Sequence, residues 1–174
     1  MLTSQRIIDA INQQIGNEFS AMLQYTAIAA HFDSETLPGL AAHFRLQAEE
    51  EKEHAHRFIQ YVIDTGAKVV IPSLPAPINH FKFAEDAVKL SLDQEKAVTA
   101  QVNHLVHIAK EEKDYTSDHF LQWFIGEQLE EVSSMEDLLR VVQRAGEGNL
   151  LRVEDYLARK AANGTHRGSA PDKE

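Results

Sequence analysis

Four glutamates stand where the sequence would otherwise place leucines. Apolar residues recurring at steps of three and four mark the stripe that a helix turns toward a bundle core. One stripe reads Ile11, Ile15, Glu18, Met22, Tyr25, Ala29, and a second reads Phe44, Gln47, Glu51, His54, Phe58, Tyr61. A third runs Val88, Leu92, Glu95, Thr99, Val102, Val106, and a fourth Leu121, Phe124, Gln128, Glu131, Met135, Leu138, Val142. Each stripe carries its carboxylate within a residue or two of its midpoint, so side-by-side helices would bring all four to one level. A single glutamate in a helix seam is most often a register device. Four at one height need another explanation, because buried carboxylates are costly alone and repel one another together. No lysine or arginine lies in these stripes to neutralise them. A pair of divalent metals would. Carboxylate oxygens with one imidazole suit iron or manganese better than zinc, and Glu51 and His54, at i and i+3, face one metal together.

The elements that must hold these residues can be read from punctuation. Residues 3–32 contain no proline and only Gly16 among glycines, and they show helical spacing throughout. Thr36-Leu37-Pro38 reads as a helix start with a capping threonine and an early proline, and that helix runs to Thr65 with Gly66 as its stop. Pro72, Pro75 and Pro77 make residues 66–81 an extended connection. A third helix spans about Lys82 to Glu112 and a fourth about Thr116 to Ala145, before Gly146; Asn149 is placed to cap a short fifth helix to about Lys160. Helices of about 30 residues are roughly 45 Å long, and the extended connection can span roughly 50 Å. It is long enough to travel the bundle and start the third helix parallel to the second. The fold class expected is all-α: a four-helix bundle with one long crossover and a short fifth C-terminal helix. Residues 1–162 form one domain, and NGTHRGSAPDKE, residues 163–174, reads as a flexible tail.

Composition narrows the function. The chain has 174 residues, 43% of them apolar, enough for one real core. It has no cysteine, which removes disulfides, thiolate zinc sites and iron–sulfur clusters. A net charge of −10 argues against nucleic acid as a partner and is suited to gathering cations. The opening MLTSQRIIDA lacks the apolar core of a signal peptide, and no apolar run is long enough for a membrane span, so a cytoplasmic protein is expected.

The segments INQQIGNEFSAMLQY, AEEEKEHAHRF, LDQEKAVTAQ and FLQWFIGEQLEE resemble the helices of bacterial non-haem ferritins, the mycobacterial and actinobacterial ones most of all. The resemblance covers about residues 3–160. It implies a ferritin-like fold and an iron-storage subunit that oxidises Fe(II) with oxygen or peroxide and deposits ferric oxide inside a 24-subunit homo-oligomeric shell. It implies Glu18, Glu51 and His54 as ligands of a first iron, with Glu51 bridging to a second bound by Glu95 and Glu131 nearby. Gln128 and Glu131 give the fourth helix Gln-x-x-Glu where bacterioferritins have Glu-x-x-His, which implies a weaker second site. Tyr25 is implied to bond a ligand carboxylate and to donate an electron, with Trp123 a weaker candidate for such transfer. Glu50, Glu127 and Glu130, one step off the seam, correspond to a third iron position. Lys52 stands where bacterioferritins have their haem-binding methionine, which argues against haem.

Two rivals fit less well. A di-iron or di-manganese enzyme acting on a small substrate would need a substrate cavity and a richer fourth-helix ligand set. The smaller DNA-protecting shells of the same superfamily place their ligands between subunits, and the tail here offers only Arg167, Lys173 and His166 against two acids. His104 and His107 fall outside the stripe and read as surface residues.

Overall fold

The computed structural model describes residues 3–162. The tail expected over 163–174 lies outside the described residues. Helix α1 spans Gln5–Ser34, α2 Pro38–Asp64, α3 Ala84–Glu111 and α4 Tyr115–Ala145; a 3-10 turn at Glu147–Asn149 leads into α5, Leu151–Ala162. No strand occurs among the described residues. The principal pairings are α1 with α2 and α3 with α4, and α5 packs chiefly on α2.

The helix ends explain the register. Ser4 caps α1 by accepting from the Ile7 N–H, and Asp114 caps α4 by accepting from the Ser117 N–H. Gly66, at φ 77°, closes α2 with its N–H on the Ile63 carbonyl and the Ala67 N–H on Val62, a Schellman stop. The start of α2 differs from the sequence expectation. Thr36 does not cap it: its φ of 61° makes it the left-handed stop of α1, with the Leu37 N–H on the Phe32 carbonyl. Leu37 takes the cap position and has no acceptor to offer. The carboxylate of Glu154, on α5, fills that role instead, 2.5 Å from the Gly39 N–H nitrogen and 2.9 Å from that of Leu40. A carboxylate at a helix N-terminus also meets the positive end of the helix dipole. Asn149 likewise lies in the 3-10 turn rather than at a cap, and α5 begins at Leu151.

The crossover runs back along α1. Asn12 brackets its beginning, accepting from the Val70 N–H and donating to the Lys68 carbonyl. Gln24 does the same at its far end with both backbone groups of Ile78. Between these clamps Pro72 lies so close to Gly16 that a Cβ there would stand 2.3 Å from Pro72 Cγ. The path delivers the chain to the end of the bundle where α2 began, so α3 runs parallel to α2.

Two apolar clusters fill the interior. One contains Ile11, Ile15, Phe58, Val102, Leu121 and Phe124, and the other Ile28, Phe32, Phe44, Val88, Met135 and Leu138. The four carboxylates belong to neither and lie between them along all four helices. Met22, Thr99 and Val106 of the stripes are only partly buried.

Gly→Ala inside a helix ordinarily stabilises by about 1 kcal/mol. Gly16→Ala should instead destabilise by about 1–3 kcal/mol, because the crossover must shift to admit the methyl group. Urea denaturation of the two proteins measures this, and a raised midpoint in the variant would contradict the close approach.

Candidate metal centre

Each of the four long helices delivers its carboxylate to the middle of the bundle. Glu18, Glu51 and Glu95 are at most 1% exposed and Glu131 is 6% exposed. His54 at 3% and Gln128 at 2% are buried among them. No lysine or arginine is ion-paired with any of these groups among the described residues.

Glu18, Glu51 and His54 close into one cluster. His54 Nδ1 lies 3.3 Å from Glu51 Oε2 and 4.0 Å from Glu18 Oε2. One ligand atom from each residue lies within 4.8 Å of the other two, the one such group among the described residues. It can hold a metal ion. The opposite half holds Glu95, Gln128 and Glu131. Tyr25 donates from its hydroxyl to Glu95 Oε1 in a very short hydrogen bond. Thr99 donates to the Gln128 carbonyl oxygen at 3.0 Å. Gln47 donates to Glu50, which is half-buried beside Glu131 and acts on it electrostatically. Glu127 is half-buried and Glu130 exposed, so these acids step outward from the buried set toward the α2–α4 surface.

The electrostatics follow from burial without counter-charge. Desolvation, then the charge of Glu51, pushes Glu18 well above the ordinary carboxyl value; desolvation and Glu95 do the same to Glu51. Desolvation raises Glu95 to about 7, although Tyr25 pulls it down, and raises Glu131 to about 9 with help from Glu95. Two oxygens, Glu18 Oε2 and Glu95 Oε2, are buried without a hydrogen-bond partner. Bare, buried, anion-forming oxygens are what a cation would satisfy, so the residues fit a metal.

Sequence reasoning missed the groups that orient these acids. Gln14 donates to Glu18 Oε1 at 2.8 Å and is itself 2% exposed. Asn17 donates to Gln14 Oε1 at 3.0 Å. The available signal was the i, i+4 spacing of Gln14 and Glu18. Trp123 is positioned edge-on to His54, with ring centroids 5.5 Å apart, and the Arg57 guanidinium lies 4.0 Å over the indole. His104 and His107 are exposed, and His107 pairs with Glu111.

These raised carboxyls favour the protonated form in the folded protein. Between the ordinary value of 4.5 and about 9 the metal-free fold therefore holds more protons than the unfolded chain. Its stability should fall as pH rises through that window. Divalent cation binding should release protons, and saturating Co(II) should raise the melting temperature more at pH 8 than at pH 6. Thermal melts at the two pH values check this, and an equal or smaller increment at pH 8 would contradict the buried-carboxylate account.

Comparison with known proteins agrees with this geometry. Residues 8–145 match the ferritin-like domain family. The chain is 45% identical over 150 residues to Ferritin BfrB of Mycolicibacterium smegmatis, covering 86% of this chain and 82% of that one. It is 36% identical over 146 residues to the bacterial non-heme ferritin of Staphylococcus aureus, covering 84% and 88%. Among solved structures, an open pore ferritin from the hyperthermophilic archaeon Archaeoglobus fulgidus superimposes with a TM-score of 0.86 at 30% identity, over 89% of this chain and 97% of that one. A humanized archaeal ferritin gives a TM-score of 0.87 at 29% identity, over 97% and 99%. The chain is a member of the ferritin family of iron-storage proteins.

Proposed function

We propose that this ferritin subunit oxidises Fe(II) at a two-iron site inside its own bundle and passes the product to the cavity of a 24-subunit shell. The observation that carries the reading is the layer of four buried carboxylates with no cationic side chain to neutralise them. Iron is the substrate. Glu18, Glu51 and His54 take the first ion, with neutral His54 offering Nδ1. Glu51 is shared with the second ion, which Glu95 binds and Gln128 and Glu131 flank. Anionic oxygens favour the more highly charged ferric ion over the ferrous one, so this ligand set drives oxidation. Two Fe(II) ions lose one electron each. With two protons these reduce one oxygen molecule to hydrogen peroxide, or one peroxide to two waters.

Tyr25, already hydrogen-bonded to Glu95, holds that carboxylate in place for the second ion. The weak amide ligand at Gln128 favours release over retention, and Glu50, Glu127 and Glu130 offer the next position on the way out. Lys52, exposed and paired with Glu49 at 3.0 Å, offers a haem iron no thioether sulfur. The rival enzyme reading needs a substrate cavity at the metals. Two of the clefts among the described residues, of about 210 and 420 Å³, are lined by other residues.

Fe(II) added in air to the wild-type protein should give rapid oxygen uptake and ferric absorbance, and light scattering with electron microscopy should show shells of about 24 subunits with dense cores. Glu51→Ala and His54→Ala should each slow oxidation at least about tenfold, a loss seen even when outer partners of metal ligands are removed. Equal rates in wild type and both variants would defeat the assignment.

A further inference from the structure

The carboxylate of Glu18 has one amide donor. Gln14 lies one helical turn before it, buried to the same depth, and its Nε2 donates to Glu18 Oε1 at 2.8 Å. The orientation of that amide is set in turn, because Gln14 Oε1 accepts from Asn17 Nδ2 at 3.0 Å. With its oxygen occupied, the amide presents its nitrogen to Glu18. The other oxygen, Oε2, accepts from no amide or hydroxyl and is the one 4.0 Å from His54 Nδ1, and the carboxyl group also shares a hydrogen bond with that of Glu51. Glu95 repeats the pattern on the opposite side of the centre: Tyr25 occupies Oε1, and Oε2 is bare. Each outer carboxylate thus has one oxygen tied to the protein and one turned loose.

We propose that Gln14, steadied by Asn17, is a positioning residue that sets Glu18 as a single-oxygen ligand of the first metal. The inference rests on the two-iron reading and goes beyond it. A carboxylate with both oxygens free can chelate one ion, rotate to bridge two, or take up a proton. The Gln14 amide disfavours the chelating mode by taking a lone pair of Oε1 and turning it away from the metal, and it supports the charged carboxylate by donating to it. Holding the bare oxygen at a fixed angle spares the site the entropy of ordering that side chain when iron arrives. A single-oxygen grip also limits how firmly the ferric product is retained.

The probe is Co(II), titrated into the full-length protein by calorimetry and by its visible absorption. Wild type should show two binding steps per subunit, and His54→Ala identifies the one that belongs to the first position. Gln14→Met keeps the volume of the side chain and removes its donor. It should weaken that step by about tenfold and leave the other unchanged. Gln24→Met is the control, since Gln24 is also buried on α1 but bonds only the crossover at Ile78. It should lower the melting temperature with both Co(II) steps intact. Asn17 lines the 210 Å³ cleft and is half-buried, so Asn17→Ala spares the core and keeps the test open should Gln14→Met fail to fold. It should weaken the same step by severalfold. Unchanged Co(II) affinity in Gln14→Met, or in Asn17→Ala if that alone folds, overturns the role of Gln14. So does equal weakening of both steps. Absence of any Co(II) binding by wild type would overturn the two-metal reading itself.

Discussion

The structure depends on a layer of uncompensated acid in the middle of a dry bundle. Removing a carboxylate from water is expensive unless something restores its charge balance. Here four helices each contribute one, and the hydrogen bonds from Gln14 and Tyr25 satisfy only one oxygen apiece on Glu18 and Glu95. The apolar clusters on either side bear that cost. They hold Phe58 stacked on Phe124 at 4.1 Å at one end and Phe32 on Phe44 at 5.7 Å at the other. Protons or metal cations must supply the missing charge balance.

The two halves of the layer are unequal. Glu18, Glu51 and His54 are drawn to one point and backed by Trp123, which Arg57 covers from the outside. The other half offers two carboxylates and an amide, Glu95, Glu131 and Gln128, beside the partly exposed acids Glu50 and Glu127.

Much of this was legible in the sequence, for a definite reason. A stripe with helical spacing reports burial at every turn, and all seven positions of the α4 stripe are buried in the structure. The crossover was legible because its prolines and its length leave few other paths. The groups that cap α2 and α5 were not. Thr36 has the chemistry of a cap but is used as a left-handed stop, and the acceptor that α2 needs comes from a distant segment that no local pattern reveals. Gln14 was hidden for a related reason: a glutamine in a helix usually faces water, and its spacing to Glu18 gains meaning only once both are known to be buried. Local periodicity encodes which face is inside. It does not encode which polar groups meet there.

That distant acceptor has a consequence for how the protein is made. The amides of Gly39 and Leu40 leave the ribosome well over a hundred residues before Glu154, which accepts from both. During translation, four helices' worth of nascent chain can collapse while the first turn of α2 still lacks its acceptor. The same helix carries Glu51 and His54, so its final setting waits until α5 has been made. A chain cut short before α5 would carry every metal-facing side chain on an unfinished scaffold.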